Sequence, residues 1–172
     1  MIARAALVAS LAFAVAASAD EKKRYEGSLV SFSYPAAGAV TPGADPNADV
    51  ALTVTLPNGI VATVLASAKK VAPNLLNATA DAWHDARLKN RAAWGMKPHG
   101  GPPPEDIGRD GNKRWRWRDR IGSVLGAQEQ TMTCGPVAGH MGCVVVSAPQ
   151  KERERADAIA SQILSSMSIR KK

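Results

Sequence analysis

The chain is poor in the residues and runs that announce most chemistries. Cysteine occurs twice in 172 residues, at Cys134 and Cys143, and histidine three times, at His84, His99 and His140. No dense His-x-His or Met-x-Met array is present, which argues against a dedicated metal carrier. There is no Gly-x-Ser-x-Gly elbow, no phosphate-cradling glycine loop and no His-Glu-x-x-His. Serine hydrolases of the α/β type, P-loop nucleotide enzymes and zincin proteases are therefore not expected. No internal repeat and no second domain can be traced. Beyond Ala17 no apolar run approaches the roughly 20 residues needed to cross a bilayer core of about 30 Å.

One apolar run does exist, at the start. Met1 to Arg4 forms a short positive segment, Ala5 to Ala17 is almost unbroken in its apolarity, and Ala17-Ser18-Ala19 has the small-x-small pattern that signal peptidase reads. Residues 1–19 are thus expected to be a signal peptide cut between Ala19 and Asp20, and the protein to be periplasmic in a bacterium. No cysteine follows the cut, so a lipid anchor is not expected. The solvated stretch Asp20-Glu21-Lys22-Lys23-Arg24 comes next.

The formal net charge is +7; removing the leader with its single basic residue, Arg4, leaves 21 basic against 15 acidic residues and 153 residues for one domain. A basic exported protein meets anionic lipid headgroups, lipopolysaccharide and wall polymers rather than nucleic acid. In that oxidising compartment two cysteines read as one disulfide. Thr131–Cys134 and Cys143–Ser147 read as strands, with a loop over Gly135 to Gly142, so both thiols should sit where a hairpin enters its loop.

Periodicity supplies the remaining elements. Gly27 to Pro35 alternates and stops at a proline, residues 36–48 read as loop, and Val50 to Leu56 and Ile60 to Ala68 form a hairpin through Pro57-Asn58-Gly59. From Pro73 to about Ala93 the period becomes helical, with Asn77 or Thr79 available as a cap. Leu76, Ala80, Trp83 and Arg87 share one face, and His84, Asp85, Lys89 and Asn90 fall largely on the other. Trp83 and Trp94 read as core residues at the two ends of this helix. Gly95 to Asn112 reads as a long loop around Gly100-Gly101-Pro102-Pro103-Pro104. Lys113 to Arg120 is a strand whose antiparallel partner lies within Ile121 to Met132. After Lys151, the spacing of Ala156, Ile159, Ala160, Ile163, Leu164 and Met167 marks a second amphipathic helix. The class is α+β, an antiparallel sheet flanked by helices.

Phe32-Ser33-Tyr34-Pro35, the early hairpin with its following helix, and the closing Ile159 to Ile169 (IASQILSSMSI) resemble the PsbP/Mog-like superfamily, including the bacterial periplasmic DcrB-like proteins. The resemblance covers most of residues 25–170 as an order of patterns. It implies a sheet sandwiched between helices and a non-catalytic accessory or binding role. It supplies no shared active site to transfer.

The most distinctive segment is Lys113 to Arg120 (KRWRWRDR). On a strand Arg114, Arg116, Arg118 and Arg120 line one face, and Lys113, Trp115, Trp117 and Asp119 the other. Four arginines on one face repel unless carboxylates or an anionic partner answer them. They are the candidate surface for a phosphate- or carboxylate-bearing partner, or else a solvated face balanced locally by acids. Cys143, within His140-Met141-Gly142-Cys143, faintly resembles the nucleophile region of L,D-transpeptidases, but the second histidine motif of those enzymes is missing and Cys134 offers it a partner. Met132, His140 and Met141, or Met96 and His99, are the residues that would suit periplasmic copper. No cofactor is expected. The leading expectation is a non-enzymatic periplasmic protein that binds an envelope or secreted protein, as an inhibitor or immunity protein would. Peripheral attachment to anionic lipid or lipopolysaccharide is the alternative, and a cysteine-dependent cell-wall enzyme the remote one.

Overall fold

The computed structural model describes residues 21–99, 101–108, 113–123 and 126–170. The leader expected over residues 1–19 and its cut before Asp20 lie outside these residues. In chain order the elements are β1 (Lys22–Glu26), β2 (Val30–Pro35), β3 (Ala39–Pro42), β4 (Val50–Thr55), β5 (Val61–Lys70), α1 (Leu76–Ala93), β6 (Lys97–His99), β7 (Glu105–Asp106), β8 (Trp115–Ser123), β9 (Gly126–Val137), β10 (His140–Ala148), α2 (Arg153–Ser166) and β11 (Ser168–Ile169).

All pairings are antiparallel. A three-stranded sheet has the order β1-β2-β11, and a larger one the order β3-β4-β5-β10-β9-β8-β6, with β7 beside β6 on the outer edge of β8. Alternation along β4, β5 and β10 divides the core in two. Leu52, Val54, Ala62, Val64, Val144 and Val146 point to one face, where α2 and the small sheet cover them with Ile159, Ile163, Leu164, Phe32 and Val30. Leu65, Met132, Cys134, Cys143, Val145, Trp115 and Trp117 point to the other, where α1 lays down Leu76 and Ala80 with Trp83 partly buried beside them. Each fully buried large aliphatic side chain contributes roughly 1.5–3 kcal/mol. A central sheet with a helix on each side is the expected α+β sandwich, now with a second small sheet sharing the α2 layer.

Several expectations change. Lys22-Lys23-Arg24 are solvated, but their backbone forms β1 against β2. The 36–48 stretch contains β3, and the 95–112 stretch contains β6 and β7, so neither is plain loop. The strand expected from Lys113 begins at Trp115 and continues to Ser123. Neither Asn77 nor Thr79 caps α1; a turn at Pro73–Leu75 starts it, and Thr79 Oγ1 donates to the Leu75 carbonyl one turn back at 2.8 Å. Trp94 is 71% exposed rather than core.

The hairpin is tighter than the glycines of 135–142 suggest. β9 runs on to Val137 and β10 starts at His140, which leaves a two-residue turn with Ala138 at φ 51° and Gly139 at φ 84°. Two consecutive left-handed residues match the twist of a hairpin, and Gly139 adopts that conformation freely. Ala138 does not, and no side-chain bond to its own backbone repays the Cβ crowding. Ala138→Asn should therefore raise stability by about 0.5–1 kcal/mol, read as a higher urea midpoint with an unchanged slope. A lower midpoint would mean that the turn is not left-handed at this position.

Candidate functional site

β8 carries both faces of interest, and pairing with β9 fixes them. Arg116 lies opposite Thr133, Trp117 opposite Met132, Arg118 opposite Thr131, Asp119 opposite Gln130 and Arg120 opposite Glu129. Period-two alternation therefore sends Trp115, Trp117 and Asp119 to the α1 side and Arg116, Arg118 and Arg120 to the α2 side.

On the α2 side, the structure brings Arg116 and Arg118 together on one carboxylate. Asp157 Oδ2, from the first half of α2, accepts from Arg116 Nη1 at 3.3 Å and from Arg118 Nη2 at 2.7 Å. Arg118 Nη1 also reaches Glu105 Oε1 on β7 at 3.4 Å. The Asp157 triad is mostly covered, with side chains 14%, 20% and 18% exposed for Arg116, Arg118 and Asp157. Arg116 Nε, Arg118 Nε, Asp157 Oδ1, Thr133 Oγ1 and Gln162 Nε2 are buried there without partners among the described residues. Arg114, just before the strand, donates to Ser165 Oγ at 3.0 Å. Arg120 alone is exposed. It borders an open cleft of ≈ 260 Å³ together with His99, Glu105, Arg118, Glu129 and Arg153, the last at the start of α2.

On the α1 side, Asp119 is only 3% exposed and has two partners. Its Oδ2 lies 2.8 Å from His84 Nε2, and its Oδ1 accepts the Gly101 N–H at 3.3 Å. The His84 ring stacks on Trp117, centroids 5.2 Å apart and planes 18° from parallel. His84 therefore faces the sheet, contrary to the expected outward position. The signal was available: His84 lies four residues after buried Ala80, on the same stripe of the helix. Through Asp119 the residues beside β8 are tied to α1, so the Arg120 cleft is anchored on both faces of the strand.

The alternative chemistries have clear positions. Cys143 is bonded to Cys134 directly across the hairpin, Cα atoms 4.1 Å apart, and both are fully buried. In this state Cys143 offers no thiol. Met132 and Met141 pack in the apolar cluster around that disulfide, whereas His140 Nδ1 lies 3.2 Å from the Ser67 carbonyl. Met96 Sδ lies 3.7 Å from Arg91 Nη1, and His99 borders the Arg120 cleft. Among the described residues no group of three or more His, Cys, Asp or Glu side chains is placed to hold a metal ion. No described helix is long and apolar enough to cross a membrane.

No protein-family model matches the chain, and no curated protein matches it in sequence. Its fold is similar to the solution structure of cyanobacterial PsbP (CyanoP) from Synechocystis sp. PCC 6803, with a TM-score of 0.61 over 87% of this chain and 92% of that one, at 12% identity. It is also similar to the crystal structure of LpqN, involved in cell envelope biogenesis of Mycobacterium tuberculosis, with a TM-score of 0.48 over 87% and 90%, at 13% identity. The first likeness shows a PsbP-like fold, in agreement with the superfamily resemblance of the sequence.

Proposed function

We propose that this protein is an exported, non-enzymatic accessory protein of the DcrB-like kind, which binds another envelope or secreted protein at the Arg120 cleft. An inhibitor or immunity protein is the sharper form of the same reading. The observation that carries it is the make-up of the cleft. Arg118, Arg120 and Arg153 share its walls with Glu105 and Glu129. Charges of both signs fixed around one opening suit a partner protein with a complementary pattern, since such patterns steer encounter and set register. A lipid surface is best served by an unbroken positive strip, and here Asp157 and Glu105 neutralise the middle of the arginine row. Of the arginines along this row and at the start of α2, Arg120, Arg153 and the half-exposed Arg114 remain open to a partner.

The test is capture in the native compartment. The tagged chain is crosslinked in cells, recovered from the periplasmic fraction, and washed in parallel at low and at molar salt, with Arg120→Glu/Arg153→Glu as control. A protein partner retained at molar salt and lost in the variant is the expected result. Recovery of only lipid or polymer, released at molar salt where the Debye length is about 3 Å, would replace this reading with peripheral attachment.

A further inference from the structure

A second cleft lies on the α1 side of the large sheet, between the last two turns of α1 and the β4–β5 hairpin. Its volume is ≈ 160 Å³, and Asp45, Thr53, Thr63, Arg87, Arg91 and Trp94 border it. Thr53 and Thr63 are directly opposed in the β4–β5 register, which sets two hydroxyls side by side on the floor. Arg87, Arg91 and Trp94 follow at i, i+4 and i+7 and so share one face of α1.

Positive charge in this cleft is poorly answered. Arg87 and Asp45 are 12% and 8% exposed, yet the single bond between them, Nη1 to Oδ2, is long at 3.4 Å. Arg87 Nε is buried with no partner among the described residues. Arg91 has no carboxylate within 4 Å among those residues; its guanidinium lies 5.6 Å from the Trp94 ring centre and reaches only the sulfur of Met96. Burial, and then the neighbouring charge of Arg91, lower the Arg87 pKa from the ordinary arginine range to about 10 against the opposing pull of Asp45. Burial lowers that of Arg91 as well.

The usual reason for a cation in a last helical turn is the free carbonyls there. Here backbone N–H groups already take three of them. Trp94 N–H bonds the Asn90 carbonyl, Gly95 N–H that of Ala92, and Met96 N–H that of Arg91, a Schellman closure with Gly95 at φ 74°. The closure leaves the two guanidiniums free of the helix end, Arg87 with one long bond to Asp45, and holds Trp94 outward beside them, 71% exposed. A largely buried arginine whose Nε has no partner among the described residues, a half-buried one beside it and an exposed indole together make a surface that a ligand can complete.

We propose that this cleft binds a carboxylate whose carbon skeleton lies flat on Trp94, the guanidinium forks of Arg87 and Arg91 taking its two oxygens. The fork matches a planar carboxylate, Asp45 fixes Arg87 in place, and the Thr53 and Thr63 hydroxyls complete the polar wall. The volume suits a carboxylate with a few carbons, either a small free acid or the terminal carboxylate of a peptide. The site is independent of the Arg120 cleft, with which it shares no lining residue.

The test is a two-dimensional ¹H–¹⁵N NMR titration of the purified chain with sodium phenylacetate, with N-acetyl-Gly-Phe, and with the amides of both. The acids should give saturable shifts at Thr53, Thr63, Asn90 and the Trp94 indole N–H, with a midpoint on the order of 1 mM, and the amides none. Saturation by phenylacetate assigns a free acid, and saturation by the peptide acid alone assigns a chain terminus. Arg91 and Trp94 are exposed enough to replace without loss of fold, which dispersed spectra of the variants would verify. Arg91→Ala should raise the midpoint at least tenfold, Arg91→Lys should raise it less, and Trp94→Ala should raise it several-fold. Equal shifts from acid and amide, an unchanged midpoint in Arg91→Ala, or saturation by sodium phosphate but by neither acid would each overturn the proposal.

Discussion

Asp157→Ala should lower the unfolding free energy by about 3 kcal/mol, seen as a large drop in urea midpoint, because it strands two covered guanidiniums on one carboxylate's former site. Arg116 would lose its only ionic partner among the described residues, and Arg118 would keep only Glu105, which is 48% exposed. Desolvation of the two cations is already complete to within 14% and 20% of their surface, so removing the anion leaves that cost unopposed. A comparison separates stranded charge from lost packing. Replacing all three groups with apolar ones, Arg116→Met, Arg118→Met and Asp157→Leu, should restore most of the loss, since well-packed apolar side chains of similar size commonly match a buried ion cluster. If Asp157→Ala and the triple variant are equally unstable, the cluster acts through shape rather than charge. If Asp157→Ala costs less than about 0.5 kcal/mol, the arginines are solvated and the cluster is an exposed surface pair.

That result bears on the binding surface. Two of the three arginines on β8 hold α2 to the sheet, and only Arg120 is fully open, with Arg114, just before the strand, half-covered beside Ser165. A charge-reversal experiment on Arg116 or Arg118 would therefore report folding. Arg120 and Arg153 are the positions at which binding can be altered without disturbing the α2 interface.

Much of this arrangement was legible in the sequence where residues recur at one period. Ala156, Ile159, Ala160, Ile163 and Leu164 are all buried, as their helical spacing requires. The alternation along β8 sent Arg116, Arg118 and Arg120 to one face and Trp115, Trp117 and Asp119 to the other, as read from the sequence. Elements without periodic side chains were not legible. β1, β3, β6 and β7 are short and lie at sheet edges, with mostly exposed side chains, so only backbone bonds to a longer neighbour define them. Long-range partners were equally hidden. Asp157 answers arginines about 40 positions earlier, and Asp45 meets Arg87 across a helix and a hairpin. Trp94 was misplaced because an indole suggests core, although its i+7 spacing from Arg87 put it with Arg91 on the rim of a cleft.

Replacing both cysteines by alanine should cost about 2–3 kcal/mol, the entropy returned to the unfolded chain when a loop with a sequence separation of nine residues is no longer closed. The value should sit at the low end of that range, because Cys134 and Cys143 oppose each other within a long ladder between β9 and β10 that itself brings the strands together. Serine at both positions should be worse by roughly another 1–3 kcal/mol. Trp115, Met132, Met141 and Val145 share the apolar cluster with the bridge, and their aliphatic, thioether and aromatic groups offer two buried hydroxyls no good hydrogen-bond partner. Reduction of the wild type provides a kinetic counterpart. Both sulfurs are inaccessible in the fold, so dithiothreitol should leave the bridge intact in buffer and cleave it only as urea opens the chain, with thiol labelling and loss of the near-ultraviolet tryptophan signal rising together. Rapid reduction without unfolding would mean that the hairpin opens locally. In that event Cys143 would become an accessible thiol beside Cys134, and the reading of this protein as a binding module would have to admit redox chemistry at the hairpin.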